Sequence, residues 1–442
     1  MRSANRTVCM LAYSAYEGDN RIRRYAETLV RRGDTVHVIA ISAPHLEQAR
    51  EAEINGVKLY RVQHREQNER SKWTYAWRLL RFLFVSSRAL IRLHRENQYD
   101  VIHIHNIPDF LVFAAWYPRL CGAKLILDIH DLTPELFAAK FNTRLAKAYV
   151  WILKLVEAAS ARFVDHIIVS NHLWLTTVTK RSAPATKCSV FLNLVDPDLF
   201  FRRQKTRLDP RFIILFPGSL QWHQGLDIAI SAFSEFKRRV PAAEFHLYAG
   251  SGGDMEESLR KLARQLGVEA SVRFLRGVPL DDMPEIIANA DLGVVPKRAD
   301  SFGNEAYSTK ILEFMSQGVP VVVARTKIDS YYFEEGTVHF FTAGDSHAMA
   351  ESMLDIFSND ALRASLVARG LEYCDANGWS QKKVAYLRLI DSLSAQNGRD
   401  ALGSSVDGKH GEAHRPNDYR VKHGAVAASE DGRTKPERSK RP

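Results

Sequence analysis

The chain has 442 residues, enough for two or three domains with apolar cores, and a formal net charge of +10 at pH 7. No apolar run approaches the roughly 18–20 residues of a membrane span, and the first strand-like segment, residues 8–13, lacks the longer apolar core and cleavage site of a secretory leader. Cys9, Cys121, Cys188 and Cys374 are scattered without CxxC spacing and read as reduced core residues of a cytoplasmic protein. The positive balance favours anionic partners but does not separate nucleic acid, membrane surface and phosphorylated substrate.

Residues 7–13 predict a strand, followed by the loop SAYEGDN, a helix over about 21–32 and a second strand at 35–41. This is a Rossmann-like start without GxGxxG, so a dinucleotide fingerprint is not supported. Gly18 permits close backbone approach to a ligand, and Asn20 can cap the helix, although a plain turn glycine and an ordinary cap explain both. Residues 69–96, ERSKWTYAWRLLRFLFVSSRALIRLHRE, alternate aromatic and aliphatic residues with arginines. Such a helix suits the interface of an anionic bilayer, and its apolar content equally suits packing on a sheet. No nucleic-acid reader motif accompanies the arginines, so nucleic acid is not an expected partner.

The strand DVIHIH, residues 100–105, puts His103 and His105 on one face, where they could begin a metal site or sit as core histidines. No clear third and fourth ligands follow at metal spacing. After a helix at about 109–121, the strand 125–129 delivers His130 and Asp131 to its C-terminal end, the ligand edge of an open parallel sheet. A long helix (about 143–163), a strand (166–170) and a further helix complete this half. Asp196 and Asp198 form a D-x-D, which can hold a divalent ion or make a structural loop; the loop is the expectation, and no metal site is expected.

Residues 202–210 are a polar linker, and 211–216 start a second Rossmann-like unit. Gly218 and Gly225 bracket a loop before a helix, a shape suited to a diphosphate, with Ser219 and Gln224 inside it. Residues 244–250 end at another glycine turn, Gly250, and the strand 272–277 ends near Val278. The stretch 291–324 then reads as a βαβ unit: an apolar run at 292–295, a polar loop, a helix carrying Ile311, Leu312 and Met315, a stop at Gly318 and Pro320, and a strand at 319–324. Ser308, Thr309 and Lys310 fall at the helix start, where free N–H groups and a lysine favour an anion. Glu313, one turn further in, can accept hydrogen bonds from a ribose diol, and Glu305 lies in the loop, free to meet a sugar. Lys297, Arg298 and His223 are further cations for the same anion. A strand at 338–341, helices from about 346 to 373 and an amphipathic helix from Trp379 close the pattern. The tail beyond 397 has few large apolar residues and is expected to be disordered.

Glu305 and Glu313 form E-x7-E, followed by the Gly-Val-Pro-Val run at 318–321. This resembles the C-terminal site of retaining glycosyltransferases of family 4, glycosyl transferases group 1, which have the GT-B fold: two Rossmann-like α/β domains with parallel sheets facing across a cleft. EGDNRIRRYAETLVRRGDTVHVI, the D-x-H-D at 128–131 and N-x-V-D-x-x-x-F at 193–200 are similar to further family segments. The resemblance implies transfer of a sugar, with retention, from a nucleotide-diphosphate sugar to a hydroxyl on a glycan or lipid-linked acceptor, without a metal or separate cofactor. It makes His130, Glu305 and Lys310 the expected catalytic residues. Gly18, Gly218, Ser219, Gln224, Gly250, Val278, Lys297, Ser308, Thr309 and Glu313 become the expected donor contacts. The family usually places a basic residue after the first glycine of the diphosphate loop and a lysine before the second; Ser219 and Gln224 depart from this, and Lys310 is the expected substitute. The implied domains are an N-terminal acceptor-side domain (1–201), a linker (202–210), a nucleotide-sugar domain (211–376), a returning helix (377–396) and the tail (397–442). Cell-surface polysaccharide or lipid-linked glycan synthesis is the implied setting, with peripheral contact at the inner membrane face through 69–96. A sugar-nucleotide epimerase, a phosphorylase and a non-catalytic partner of a membrane assembly remain as alternatives.

Overall fold

The computed structural model describes residues 5–42, 48–64, 72–140, 143–249, 253–300 and 302–395. The N-terminal lobe is built on β1 (Thr7–Leu11), β2 (Thr35–Ser42), β3 (Glu51–Ile54), β4 (Val57–His64), β5 (Val101–His105), β6 (Lys124–Ile129), β7 (His166–Val169) and β8 (Cys188–Val190). Their order in the sheet is β3-β4-β2-β1-β5-β6-β7-β8. All neighbours are parallel except the β3–β4 hairpin, whose turn residues Asn55 and Gly56 have φ of 51° and 78°. Helices cover both faces of a parallel sheet, so its central strands are buried on both sides rather than alternating, as in β1 and β6.

The C-terminal lobe contains β9 (Phe212–Pro217), β10 (Ala243–Ala249), β11 (Val272–Arg276), β12 (Leu292–Val295), β13 (Val321–Ala324) and β14 (His339–Phe341). Its sheet is wholly parallel in the order β11-β10-β9-β12-β13-β14. In such sheets the crevice for a ligand opens where the chain reverses its direction of travel across the strands. In the first lobe that point lies between β1 and β5, and in the second between β9 and β12. Topology therefore predicts that the loops after β1, β5, β9 and β12 carry the chemistry.

Two local features refine the sequence reading. Asp19, not Asn20, caps the helix Asn20–Arg32, its carboxylate accepting from the Ile22 N–H at 3.2 Å. All four cysteines are free, but only Cys9 is buried, and Cys121 is exposed. The last described helix, Trp379–Ala395, lies against the N-terminal lobe: Trp379 Nε1 donates to Thr28 Oγ1 at 2.8 Å, and the Tyr386 ring sits 4.4 Å from that of Tyr25. Among the described residues no helix is long and apolar enough to cross a membrane.

Candidate active site

In the C-terminal lobe the loop after β9 and the helix after β12 meet face to face. Gly218, with φ of 147°, ends β9, and a Cβ there would lie 2.5 Å from Cε of Lys310. The lysine therefore lies over the glycine, and only a bare backbone leaves room for it. Lys310 Nζ donates to Gln224 Oε1 at 3.4 Å and sits 5.2 Å above the ring of Phe216. Gly225 closes the loop at φ of 68°, and a Cβ there would overlap the Pro296 carbonyl oxygen. The loop is thus pinned at both ends, by a side chain and by backbone.

Ser308 is the N-cap residue of the helix Thr309–Ser316 yet makes no side-chain cap bond, and its buried hydroxyl oxygen has no partner. The first N–H groups of this helix and the Lys310 ammonium form one electropositive corner. Burial pulls the Lys310 pKa down to about 8; Glu313 opposes that shift and Lys297 adds to it. Burial also raises the Glu313 pKa, while Lys310 and a hydrogen bond from Thr309 favour its charged form. A lysine and a carboxylate one turn apart, both partly desolvated, can bind an anion and a diol side by side.

Glu305 belongs to the loop after β12. Its carboxylate pairs with Lys327 at 3.0 Å, and its main-chain oxygen accepts from Asn171 Nδ2, in the other lobe, at 3.1 Å. Further bridges between the lobes are the Arg23–Asp281 ion pair at 3.2 Å and the Tyr332 hydroxyl against the His172 ring at 2.6 Å.

In the N-terminal lobe a cavity of about 270 Å³ occupies the switch point. Tyr13, Ser14 and Asp19 line it from the loop after β1, Asn106 and Ile107 from the loop after β5, with His130 and Tyr75 beside them. The Asn106 side chain accepts from the His130 N–H at 2.7 Å, and the His130 carbonyl accepts from Ser170 at 2.9 Å. His130 Nε2 stands 3.1 Å from His105 Nδ1 and 3.4 Å from Asp128 Oδ2. Behind it Arg21 grips the fully buried Asp128 through two nitrogens. Burial alone would raise the Asp128 pKa, but Arg21 and the imidazoles hold it well below the ordinary carboxylate value. Burial keeps His103 and His105 neutral at physiological pH, despite Asp128.

The family model of the glycosyl transferases group 1 matches residues 199–372, and that of the glycosyl transferase 4-like domain matches residues 18–193. The chain is a group 1 glycosyltransferase of the GT-B type. An uncharacterized glycosyltransferase of Methanocaldococcus jannaschii is 28% identical over 312 residues, which are 68% of this chain and 74% of the relative. The phosphatidyl-myo-inositol mannosyltransferase of Mycobacterium leprae is 21% identical over 402 residues, 90% of this chain and 99% of its own. Sucrose-phosphate synthase from Thermosynechococcus elongatus shares the fold at 16% identity and a TM-score of 0.73, over 89% of this chain and all of the other.

Against this glycosyltransferase frame the expected site residues separate. Gly218, Gln224, Thr309, Lys310 and Glu313 converge on one corner, joined by the contacts above. Ser219 is exposed beside Gly218. Val278 is partly exposed after β11, two strands from β9, and Gly250 lies outside the described residues. Gly18 is exposed in the loop after β1, and a Cβ there would meet nothing, so the fold itself does not demand a glycine. Lys297 is engaged beneath the Glu305 loop. It is 2% exposed, pairs with Asp329 at 2.8 Å and donates to the Ala306 carbonyl at 2.7 Å. Its charge is committed to holding the Glu305 loop, because a buried ammonium without a carboxylate is too costly to leave in place. Arg298 is likewise engaged, pairing with Asp227 and stacking 3.6 Å over Trp222. Asp196 and Asp198 form a structural turn, the Asp198 N–H donating to Asp196 at 3.0 Å while Arg31 pairs with Asp198.

Sequence reasoning missed Asp128 and Asn171. Asp128 had a signal, a carboxylate inside an otherwise apolar strand. Asn171 is a buried helix cap whose second role depends on a contact 134 positions away.

Proposed function

We propose that this enzyme transfers a sugar, with retention of anomeric configuration, from a nucleotide-diphosphate sugar to a hydroxyl acceptor without a required metal or separate cofactor. The observation that carries this reading is Lys310, held over Gly218 at a helix N-terminus with Glu313 one turn on. The departing diphosphate would meet the ammonium and the free N–H groups, which supply in the protein the positive charge that a metal supplies elsewhere. Glu313 would accept from the ribose hydroxyls, Glu305 would hold the donor sugar, and His130 would face the reaction centre from the acceptor cavity. Among the described residues His103, His105 and Asp128 have metal-ligand spacing, but Arg21 occupies the carboxylate, which disfavours a cation. That supports the metal-independent reading.

The test is a thermal-shift screen of nucleoside diphosphates, followed by product analysis with the donor it identifies. A rise in melting temperature with one base names the donor class. Glu305→Ala should abolish turnover while leaving that shift intact, and NMR of the product should show the donor's anomeric configuration retained. An isomerised donor formed without acceptor would favour the epimerase alternative, and binding without any turnover would favour a non-catalytic partner.

A specific observation also supports work at a lipid surface on a lipid-linked acceptor. Trp77 and Phe84 on the helix Lys72–Asn97, each 66% exposed, and Trp151, Ile152 and Leu155 on the helix Arg144–Phe163 turn large apolar groups outward. Both helices pack on the segment Asp109–Ala115. The sole acid of the second helix, Glu157, is buried against Arg181, whereas Lys147 and Lys154 are exposed. Apolar groups flanked by cations fit an anionic bilayer interface, and Tyr75 of the first helix also lines the His130 cavity.

A further inference from the structure

The loop that carries Glu305 is clamped by the lobe it does not belong to. Phe302, three residues earlier, is 4% exposed and packs into the core of the N-terminal lobe, its ring 5.8 Å from that of Trp174. From Phe302 to Ala306 the chain is a closed turn. The Phe302 carbonyl accepts from the N–H groups of Glu305 at 3.1 Å and Ala306 at 2.9 Å, and Asp300 Oδ1 accepts from that of Gly303 at 2.6 Å. A short hydrogen-bonded turn thus links Phe302 to Glu305. Asn171 adds a second tie: its Oδ1 accepts from the Trp174 N–H at 2.9 Å, capping the helix His172–Arg181, while its Nδ2 reaches the Glu305 carbonyl. The same asparagine thus orders the helix that holds Trp174 and the loop that Trp174 receives.

We propose that Phe302 and Asn171 are positioning residues through which closure of the two lobes sets the place of Glu305. This rests on the role given to Glu305 above. Parting the lobes withdraws Phe302 from an apolar core and breaks the Asn171 bond, leaving the turn only the ties of its own lobe, from Lys297 to the Ala306 carbonyl and from Lys327 to Glu305. The Lys310 corner is assembled within the C-terminal lobe alone and survives that separation. Diphosphate binding and catalysis therefore depend on different contacts: an open enzyme holds the nucleotide, and only the closed one presents Glu305. Water meeting an open complex then finds a donor whose sugar Glu305 does not hold, which limits futile hydrolysis.

The experiment compares Phe302→Ala, Phe302→Leu, Asn171→Asp and Glu305→Gln in the full chain. Affinity for UDP and GDP is measured by calorimetry, and turnover by release of nucleoside diphosphate from the matching donor sugar. Asn171→Asp keeps an acceptor for the helix cap and replaces the donor to the Glu305 carbonyl by an oxygen that repels it. Phe302→Ala and Asn171→Asp should each lower kcat about 10- to 100-fold while nucleoside diphosphate Kd stays within about twofold, and Phe302→Leu should restore most of the rate. Either folded variant with wild-type kcat would overturn the coupling, provided Glu305→Gln is inactive. So would affinity falling in step with kcat, which would make Phe302 a prop for the His223 loop it also touches at 5.2 Å. A fully active Glu305→Gln enzyme would instead remove the role assigned to Glu305, and the coupling with it.

Discussion

Lys310 gives the sharpest pH prediction. Its pKa of about 8, lowered by burial, leaves it charged at pH 7 and largely neutral at pH 9. If the protonated form is the one that grips the diphosphate, the apparent Kd is the intrinsic value divided by the protonated fraction. That fraction falls from about 0.9 to about 0.1 between these pH values, so affinity should weaken roughly tenfold. Stability of the free enzyme moves the other way. Above pH 8 the unfolded chain still holds the proton that the folded chain has released, so stability rises with pH toward the ordinary lysine value. Lys310→Met removes the partly buried charge and should raise the free enzyme's melting temperature at pH 7, while costing about 1.5–3 kcal/mol of diphosphate affinity. Lys310→Arg stays charged throughout and should flatten the Kd profile. Isothermal titration between pH 7 and 9 checks this. A flat wild-type profile, or an equally steep one for Lys310→Arg, would refute the placement of the diphosphate on Lys310.

The two loop glycines should respond differently to alanine. Gly218→Ala meets a flexible lysine stem on a backbone at φ of 147°, so it should displace Lys310 and weaken nucleoside diphosphate binding as well as lower the melting temperature. Gly225→Ala meets backbone at positive φ, so it should destabilise the fold by about 1–3 kcal/mol, read by urea unfolding. Asp128→Ala leaves the Arg21 guanidinium buried and unpaired and should cost about 3–5 kcal/mol by the same assay, much of it recovered when Arg21→Met is added. Trp77→Ser with Phe84→Ser, or Trp151→Ser with Ile152→Ser, should reduce sedimentation with phosphatidylglycerol vesicles without changing nucleoside diphosphate affinity; unchanged sedimentation would exclude those faces from a membrane footprint.

What could be read from sequence was what is encoded locally. Apolar runs marked β1, β5, β6, β9 and β12, because strands covered on both faces have no polar side to confuse the pattern. Glu305, Lys310 and Glu313 lie within one short segment, so their meeting at a loop and helix start needed no knowledge of the fold. Asn55-Gly56 is a hairpin signal for β3 and β4 that the sequence carries locally. The pairing of Lys297 with Asp329 is not legible in the sequence, because the partner is far along the chain and a lysine after a strand looks the same whether it faces solvent or a buried carboxylate. Arg21 and Arg24 belong to a helix whose polar face reads as solvated. Both are at most 2% exposed, Arg24 lying 4.6 Å from the Trp379 ring, because Trp379–Ala395 returns to cover that face. A contact spanning more than 350 positions leaves no trace in local periodicity.

The departure at Ser219 and Gln224 looks at first like a site that has lost its charge. The geometry argues for relocation instead. Gln224 does not leave a void where a loop lysine would lie, because its amide oxygen accepts from Lys310 Nζ and steers the ammonium toward the glycine turn. The cation arrives from the helix on the opposite side of the same switch point, and the missing Cβ at Gly218 is what lets it approach. Such an exchange has a physical cost that loop lysines avoid. A lysine on a helix beside Glu313 and near Lys297 is desolvated, which is why its pKa falls to about 8. The same desolvation strengthens its pull on a diphosphate, since an ion pair shielded from water is attenuated less than one on the surface. An enzyme of this design therefore titrates in the range where one with an exposed loop lysine would not, and that difference separates relocation of the charge from its loss.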